Sequence, residues 1–151
     1  SGAGVVLMHS RGDVASMATF AHASYGDDPM EAVIAELRDQ IAVAERAGIR
    51  RERIVLDPGI GFAKRAEHSR AVLGALDRLV ACGFPVLVGA SRKRFIGALT
   101  RRDVPADRAA GSAGANVMAM VRGARLVRVH DVRASRDALD VGWAILQAAH
   151  A

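Results

Sequence analysis

The chain has 151 residues, 51% of them hydrophobic and 25% charged, with a formal net charge of +5 at pH 7. That is enough to bury one core, and no excess of proline, glycine or charge points to disorder. The longest apolar stretches fall well short of the roughly 20 residues of a membrane span and the first residues lack the blocks of a signal peptide; the single cysteine, Cys82, excludes an intrachain disulfide or a multi-cysteine metal site, so one cytoplasmic unit spanning 1–151 is expected.

In chain order, Gly4-Val5-Val6-Leu7-Met8 reads as a buried strand ended by His9-Ser10-Arg11-Gly12. After a polar stretch, Asp28-Pro29-Met30-Glu31 has the form of a capping box with proline at the first helical position. Met30, Val33, Ile34, Leu37 and Ile41 then keep helical spacing until Gly48. A strand from Ile54 to Leu56 follows, then a helix of about Ala66 to Cys82 that buries Val72, Leu73, Leu76, Leu79 and Val80 before Gly83. Next come a strand from Pro85 to Val88, a helical region around Pro105 to Arg122, a strand from Arg125 to Val129 and a last helix to about Ala149. Met118, Met120 and Trp143 read as helix packing, and His22, His68 and His150 as solvated.

Successive strand-then-helix units imply parallel strands, because each helix returns the chain to the same end of the sheet. The expected class is α/β, as an open wound sheet or as half of an eight-stranded βα barrel. The first strand lacks the glycine fingerprint of dinucleotide binding, since His9-Ser10-Arg11-Gly12 holds one glycine.

In either architecture ligands sit at the carboxyl ends of the parallel strands, where this sequence turns polar. Those ends carry His9 and Arg11, then Asp57, then Ser91, Arg92 and Lys93, then Arg128, His130 and Asp131. Asp57 is an acceptor with two parallel oxygen sites, Gly59 and Gly61 let backbone approach a flat ligand, and Arg128 with His130 suits an anion. The expected ligand therefore combines a planar donor pair with a phosphate-like group. His9 reads as a satisfied strand-end histidine and Asp131 as the cap of the last helix. Nearly all the basic residues are arginine; the two lysines, Lys64 and Lys93, both follow apolar runs in glycine-bearing stretches, where a compact ammonium has a local use.

Four stretches, LMHSRG (7–12), LDPGIGFAK (56–64), LVGASRKRFIG (87–97) and RVHDV (128–132), resemble in order and spacing the second half of the bacterial dihydropteroate synthase family. That resemblance implies a pterin-binding TIM (β/α)8 barrel, with this chain as strands five to eight and its first half absent. It implies a transferase of folate biosynthesis, the target of sulfonamides, that joins 6-hydroxymethyl-7,8-dihydropterin pyrophosphate to p-aminobenzoate with Mg²⁺, as a homodimer in the full-length protein. By resemblance Asp57 holds the aminopyrimidine edge, with Gly61 and Phe62 beside it and Met8 lining the pocket. Gly89 leaves room for the pterin and Lys93 contacts its ring. Ser91 and Arg92, near a helix start, receive the p-aminobenzoate carboxylate, and Arg128 and His130 bind the pyrophosphate. Lys93, Arg128 and His130 are thus the implied catalytic residues. The family's metal-binding asparagine lies in its first half, so no metal ligand is expected in this chain.

Ser10, Ala63 and Arg94 stand where the family often has methionine, glycine and a small polar residue. Ser1-Gly2-Ala3-Gly4 leads directly into a strand, which suggests a fragment whose half barrel would expose two strand edges and whose activity alone is doubtful. Two other classes fit less well. A methyltetrahydrofolate-binding methyltransferase module has no pyrophosphate for Ser91-Arg92-Lys93 and Arg128-Val129-His130 to receive. A basic nucleic-acid-binding protein would cluster its arginines and carry more than 4% aromatics.

Overall fold

The computed structural model describes residues 2–148. The elements in chain order are β1 (Val5–Met8), α1 (Pro29–Arg46), β2 (Ile54–Asp57), α2 (Ala66–Gly74), α3 (Leu76–Val80), β3 (Leu87–Val88), α4 (Arg94–Thr100), α5 (Ala109–Val121), β4 (Leu126–Val127) and α6 (Val132–Ala148). Short 3₁₀ turns at Arg51–Arg53 and Pro105–Arg108 precede β2 and α5.

The expected parallel order is present. β1 pairs with β2 (Val5 opposite Ile54, Met8 opposite Asp57), and β3 pairs with β4 (Leu87 opposite Leu126). A parallel bridge between Leu56 and Val86, with Leu56 N–H donating to the Pro85 carbonyl at 2.9 Å, joins the two pairs. The strands therefore lie in sequence order, and β1 and β4 are the outer edges. Every strand ends at the same side, which places His9, Asp57, Gly89 and Arg128 along one rim.

Local chemistry explains α1. The Asp28 side chain accepts from the Glu31 N–H at 3.0 Å, and Pro29 opens the helix with a φ already suited to it. Its apolar stripe, Met30, Val33, Ile34, Leu37 and Ile41, is buried, and each such side chain stabilises the fold by about 1.5–3 kcal/mol. The stripe meets Ile54, Leu56, Val72, Leu76, Leu79 and Val86 in one core. Burial is thus centred on β2 and its flanking helices. α5 buries only Ser112, Asn116 and Ala119, and α6 only Ser135.

The structure corrects several expected boundaries. The helix of 66–82 is two helices, broken after Gly74 at Ala75 (φ −109°, ψ 23°); glycine is a weak helix former, and the break lets Leu76 and Leu79 reach the core. Cys82 lies in the turn beyond α3 rather than in a helix. The third helical region is a 3₁₀ turn followed by α5; α4 has no range in the periodicity, because Ser91–Arg94 reads as turn chemistry, but the helix start that the resemblance implies near Ser91 and Arg92 is present at Arg94. The last two strands shrink to two residues each. The first strand is half-buried rather than buried, with Val6 51% exposed, because an edge strand has a neighbour on one side only. Met118 and Trp143 are exposed instead of packed. His68 is half-buried: its Nδ1 accepts from the Arg65 N–H at 3.4 Å and its ring meets Tyr25 edge-on. The expectations for His150 and for helix at residue 149 lie outside the described residues.

Candidate functional site

Asp57, the last residue of β2, is 4% exposed. Its Oδ1 accepts from the Gly59 N–H at 2.7 Å, and among the described residues this is its one side-chain hydrogen bond. Burial pushes its carboxyl above the usual carboxylate range, while that N–H and the charges of Arg128, Lys93 and Lys64 pull the other way. The turn after it needs its glycines. A Cβ on Gly59 would stand 1.8 Å from the His9 carbonyl oxygen, and both Gly59 (φ 66°) and Gly61 (φ 77°) are left-handed. The close approach locks the ends of β1 and β2 together. Ala63, also left-handed at φ 45°, has its N–H held by the Met17 carbonyl at 2.7 Å.

Lys93 lies along Gly61, 3.1 Å from where a Cβ would be, with its ammonium 3.9 Å from the Phe62 ring centroid. Burial, and then the Arg128 charge, lower its affinity for a proton. The space beside Gly89 is taken by the Arg128 guanidinium, whose Nη2 would come 3.1 Å from a Cβ there. Thus Asp57, Gly61, Lys93 and Arg128 converge, as expected of strand ends, together with Phe62 and Gly89, which the resemblance alone singles out. Met8, paired with Asp57, is half-buried beside them.

The β3 and β4 ends are tied to each other. Ser91 Oγ accepts from the His130 N–H at 3.2 Å and bonds its Nδ1 at 3.0 Å. Arg92 grips Asp131 through two bonds, Nε to Oδ2 at 3.0 Å among them, which raises the guanidinium and lowers the carboxyl. The Asp131 carboxylate is therefore not a helix cap: the charged pair outcompetes a backbone N–H, and only the Asp131 carbonyl takes part, accepting from Ser135 N–H at 2.9 Å. Arg92 has a left-handed backbone (φ 57°), its N–H donates to Ser112 Oγ at 2.8 Å, and its carbonyl accepts from the buried Arg108. Arg128 and His130 are exposed.

A cavity of about 600 Å³ opens between the 61–66 turn, α4 and the loop carrying Ala18 and Phe20. Phe20 and Phe62 line it, and Arg65, Lys93 and Arg94 give it a cationic rim. Arg94 donates to the Ala18 carbonyl at 2.8 Å and lies 4.6 Å over the Phe20 ring. This volume suits a small planar ligand.

One cluster was not put together from the sequence. His9 is fully buried: its Nδ1 faces the Lys64 ammonium at 2.7 Å and its Nε2 faces Glu36 at 3.0 Å. Arg11 bonds Glu36 as well and lies 4.0 Å over the Tyr25 ring. Burial and the Lys64 charge lower His9 to about 4, and burial lowers Lys64 to about 7. The expectation of a satisfied histidine holds. What escaped was Lys64 beneath it, although the scarcity of lysine was a signal. Among the described residues no three of His, Cys, Asp and Glu gather as they would around a metal ion, and no helix is long and apolar enough to cross a membrane.

A family model described as pterin binding enzyme matches residues 1–130. The dihydropteroate synthase of Synechocystis sp. is 40% identical over 145 residues, which covers 93% of this chain and 48% of that protein. The solved dihydropteroate synthase of Stenotrophomonas maltophilia, with imidazole bound in its active site, superimposes with a TM-score of 0.90 at 42% identity over 95% of this chain and 53% of its own. That of Thermus thermophilus, in complex with 4-aminobenzoate, gives 0.87 at 49% identity over 95% of this chain and 54% of its own. The chain spans about half the length of the relatives it matches.

Proposed function

The chain belongs to the pterin-binding enzyme family, and we propose that it supplies strands five to eight of a (β/α)8 barrel in a dihydropteroate synthase. The observation that carries this reading is Asp57, a buried carboxylate at a strand end, flanked by the glycine turn and ringed by the charges of Arg128, Lys93 and Lys64. A pterin presents an amino group and a ring N–H side by side, which match the two oxygens of one carboxylate. Such a flat ring would lie against the turn, with Lys93 at its edge and Met8 below. 4-Aminobenzoate, which the Thermus thermophilus relative binds, fits the cavity walled by Phe62 and Phe20, its carboxylate toward Arg92 and the cationic rim.

The reaction is displacement of diphosphate from the pterin methylene by the arylamine. The C–O bond to diphosphate breaks with its electron pair leaving on oxygen, the C–N bond forms, and the amine proton is lost. No protein nucleophile is needed. Arg128 and His130 stabilise the charge that accumulates on the departing diphosphate, and Lys93 and Phe62 orient the two rings so that nitrogen meets carbon. Mg²⁺ would add positive charge to the diphosphate. By the family resemblance its protein ligand would lie in the other half of the barrel, and no step here depends on it. Homodimerisation of the complete protein and a cytoplasmic location belong to the same proposal. Nucleic-acid binding is disfavoured, because the basic residues are spread along the chain and aromatics make up only 4% of it.

The test is calorimetric titration of a dihydropterin diphosphate analogue into the complete protein that carries these residues and into its Asp57→Asn variant. The amide replaces one acceptor by a donor that faces the pterin's own donors. Affinity should fall roughly a hundredfold, since hydrogen bonds to a charged group are worth about 1.5–3 kcal/mol each. Equal binding by the two would remove Asp57 from the pterin site.

A further inference from the structure

Lys64 touches neither substrate in the reading above, yet it is the largest of the fully buried side chains, 2% exposed. An ammonium has three donors, and here it meets three acceptors: His9 Nδ1 at 2.7 Å, the Gly59 carbonyl at 3.2 Å and the Phe62 carbonyl at 3.2 Å. The last two bracket the turn itself, whose Phe62 N–H also returns to the Gly59 carbonyl at 3.0 Å. Its third partner is anchored in turn. With Nδ1 accepting from Lys64, the His9 proton sits on Nε2 and is donated to Glu36, which Arg11 holds from the other side. A chain of contacts thus runs from α1 through the end of β1 to the inside of the Asp57–Phe62 turn.

We infer that Lys64 is a positioning residue, which clamps the Gly59–Phe62 turn from within so that Phe62 forms a fixed wall for the arylamine. The inference rests on the proposed reaction. It separates two parts of the site: Asp57 is fixed by the pairing of β2 with Met8 and by Gly59, which packs on the His9 carbonyl, whereas Phe62, five residues on and half-buried, depends on the clamp. Without Lys64 the Phe62 carbonyl and the His9 nitrogen lose their donor, the Gly59 carbonyl keeps only the Phe62 N–H, and the turn is free to shift toward the cavity.

The test is steady-state kinetics on the complete protein, comparing wild type with Lys64→Met, His9→Leu and His9→Gln, at a temperature where each is folded by circular dichroism. Glutamine can still accept from Lys64 and donate to Glu36; leucine can do neither. Lys64→Met and His9→Leu should raise KM for 4-aminobenzoate about tenfold or more, as expected when a positioning contact shifts by a fraction of an ångström. KM for the dihydropterin diphosphate should stay within about twofold, and His9→Gln should restore most of the loss. A merely structural role would lower the amount of active enzyme and leave both KM values alone, and that result, or equal losses in His9→Gln and His9→Leu, overturns the inference. If Lys64→Met does not fold, the two His9 variants decide by the same criteria. Wild type that makes no dihydropteroate would instead overturn the proposed reaction, whatever the variants do.

Discussion

The two strand pairs meet the same rim with opposite chemistry. At the β1–β2 end the ionisable groups are inside: His9, Asp57 and Lys64 are 0%, 4% and 2% exposed, and burial is the first cause of each of their shifted proton affinities. At the β3–β4 end Arg128 and His130 stand exposed, and Arg92 and Asp131 are shifted chiefly by each other. The difference follows from where the core lies. α1, α2 and α3 pack around β2 and seal its end, whereas α5 and α6 bury little. On the proposed reading the sealed end would hold the flat ring in fixed geometry, and the open end would receive the hydrated, highly charged diphosphate and let it leave.

This contrast can be broken most directly at the open end. Arg128→Ala should lower kcat on the order of a hundred- to a thousandfold, the scale for losing one donor to a developing anion, with the thermal midpoint nearly unchanged because the side chain is exposed. A drop in stability of the size seen for a core substitution would show that Arg128 is part of the packed frame instead.

At the sealed end the sharper readout is pH. His9 and Lys64 fall from 6.5 and 10.5 to about 4 and about 7 in the folded chain, so the unfolded chain binds more protons in both intervals. Stability should therefore rise with pH, from about 4 to 6.5 through His9 and from about 7 to 10.5 through Lys64. Urea unfolding of wild type and Lys64→Met across the upper interval isolates the lysine: wild type should gain on the variant as pH increases. Parallel curves would mean that Lys64 is solvated in the folded protein.

The smallest effect is expected at Ala63. Its left-handed backbone costs about 1–2 kcal/mol relative to glycine, but glycine there gives up a buried methyl worth about 0.8 kcal/mol and some unfolded-chain entropy. Ala63→Gly should thus change stability by less than about 1 kcal/mol in either direction, measurable by the same unfolding. A larger gain would mean that the buried methyl contributes nothing to the packing of the turn.

Most of the rim was legible because strand ends are marked by an abrupt change from apolar to polar residues, and parallel order follows from alternation. Asp57, Gly61, Lys93 and Arg128 could be gathered on that basis alone, whereas Phe62 enters only through the resemblance of the motifs. The sequence could not show that Ser91 turns to His130, or that Arg92 spends its fork on Asp131, since both partners lie 39 positions away. It also could not show the extent of α4 or the break at Ala75, where a few residues of local preference yield to the shape of the core.

What the sequence determined by itself was periodic and local: the α1 stripe and its cap, the parallel class, the glycine turn after Asp57, and the motifs that mark the family. What only the tertiary structure decided was who meets whom across the chain. Lys64 finds His9 from 55 positions away, and His9 finds Glu36 from 27. Burial then turns an ordinary lysine and histidine into the clamp of the site, because removing water strengthens each contact and makes an unpartnered group costly, and no local pattern of residues records how much water the fold will leave.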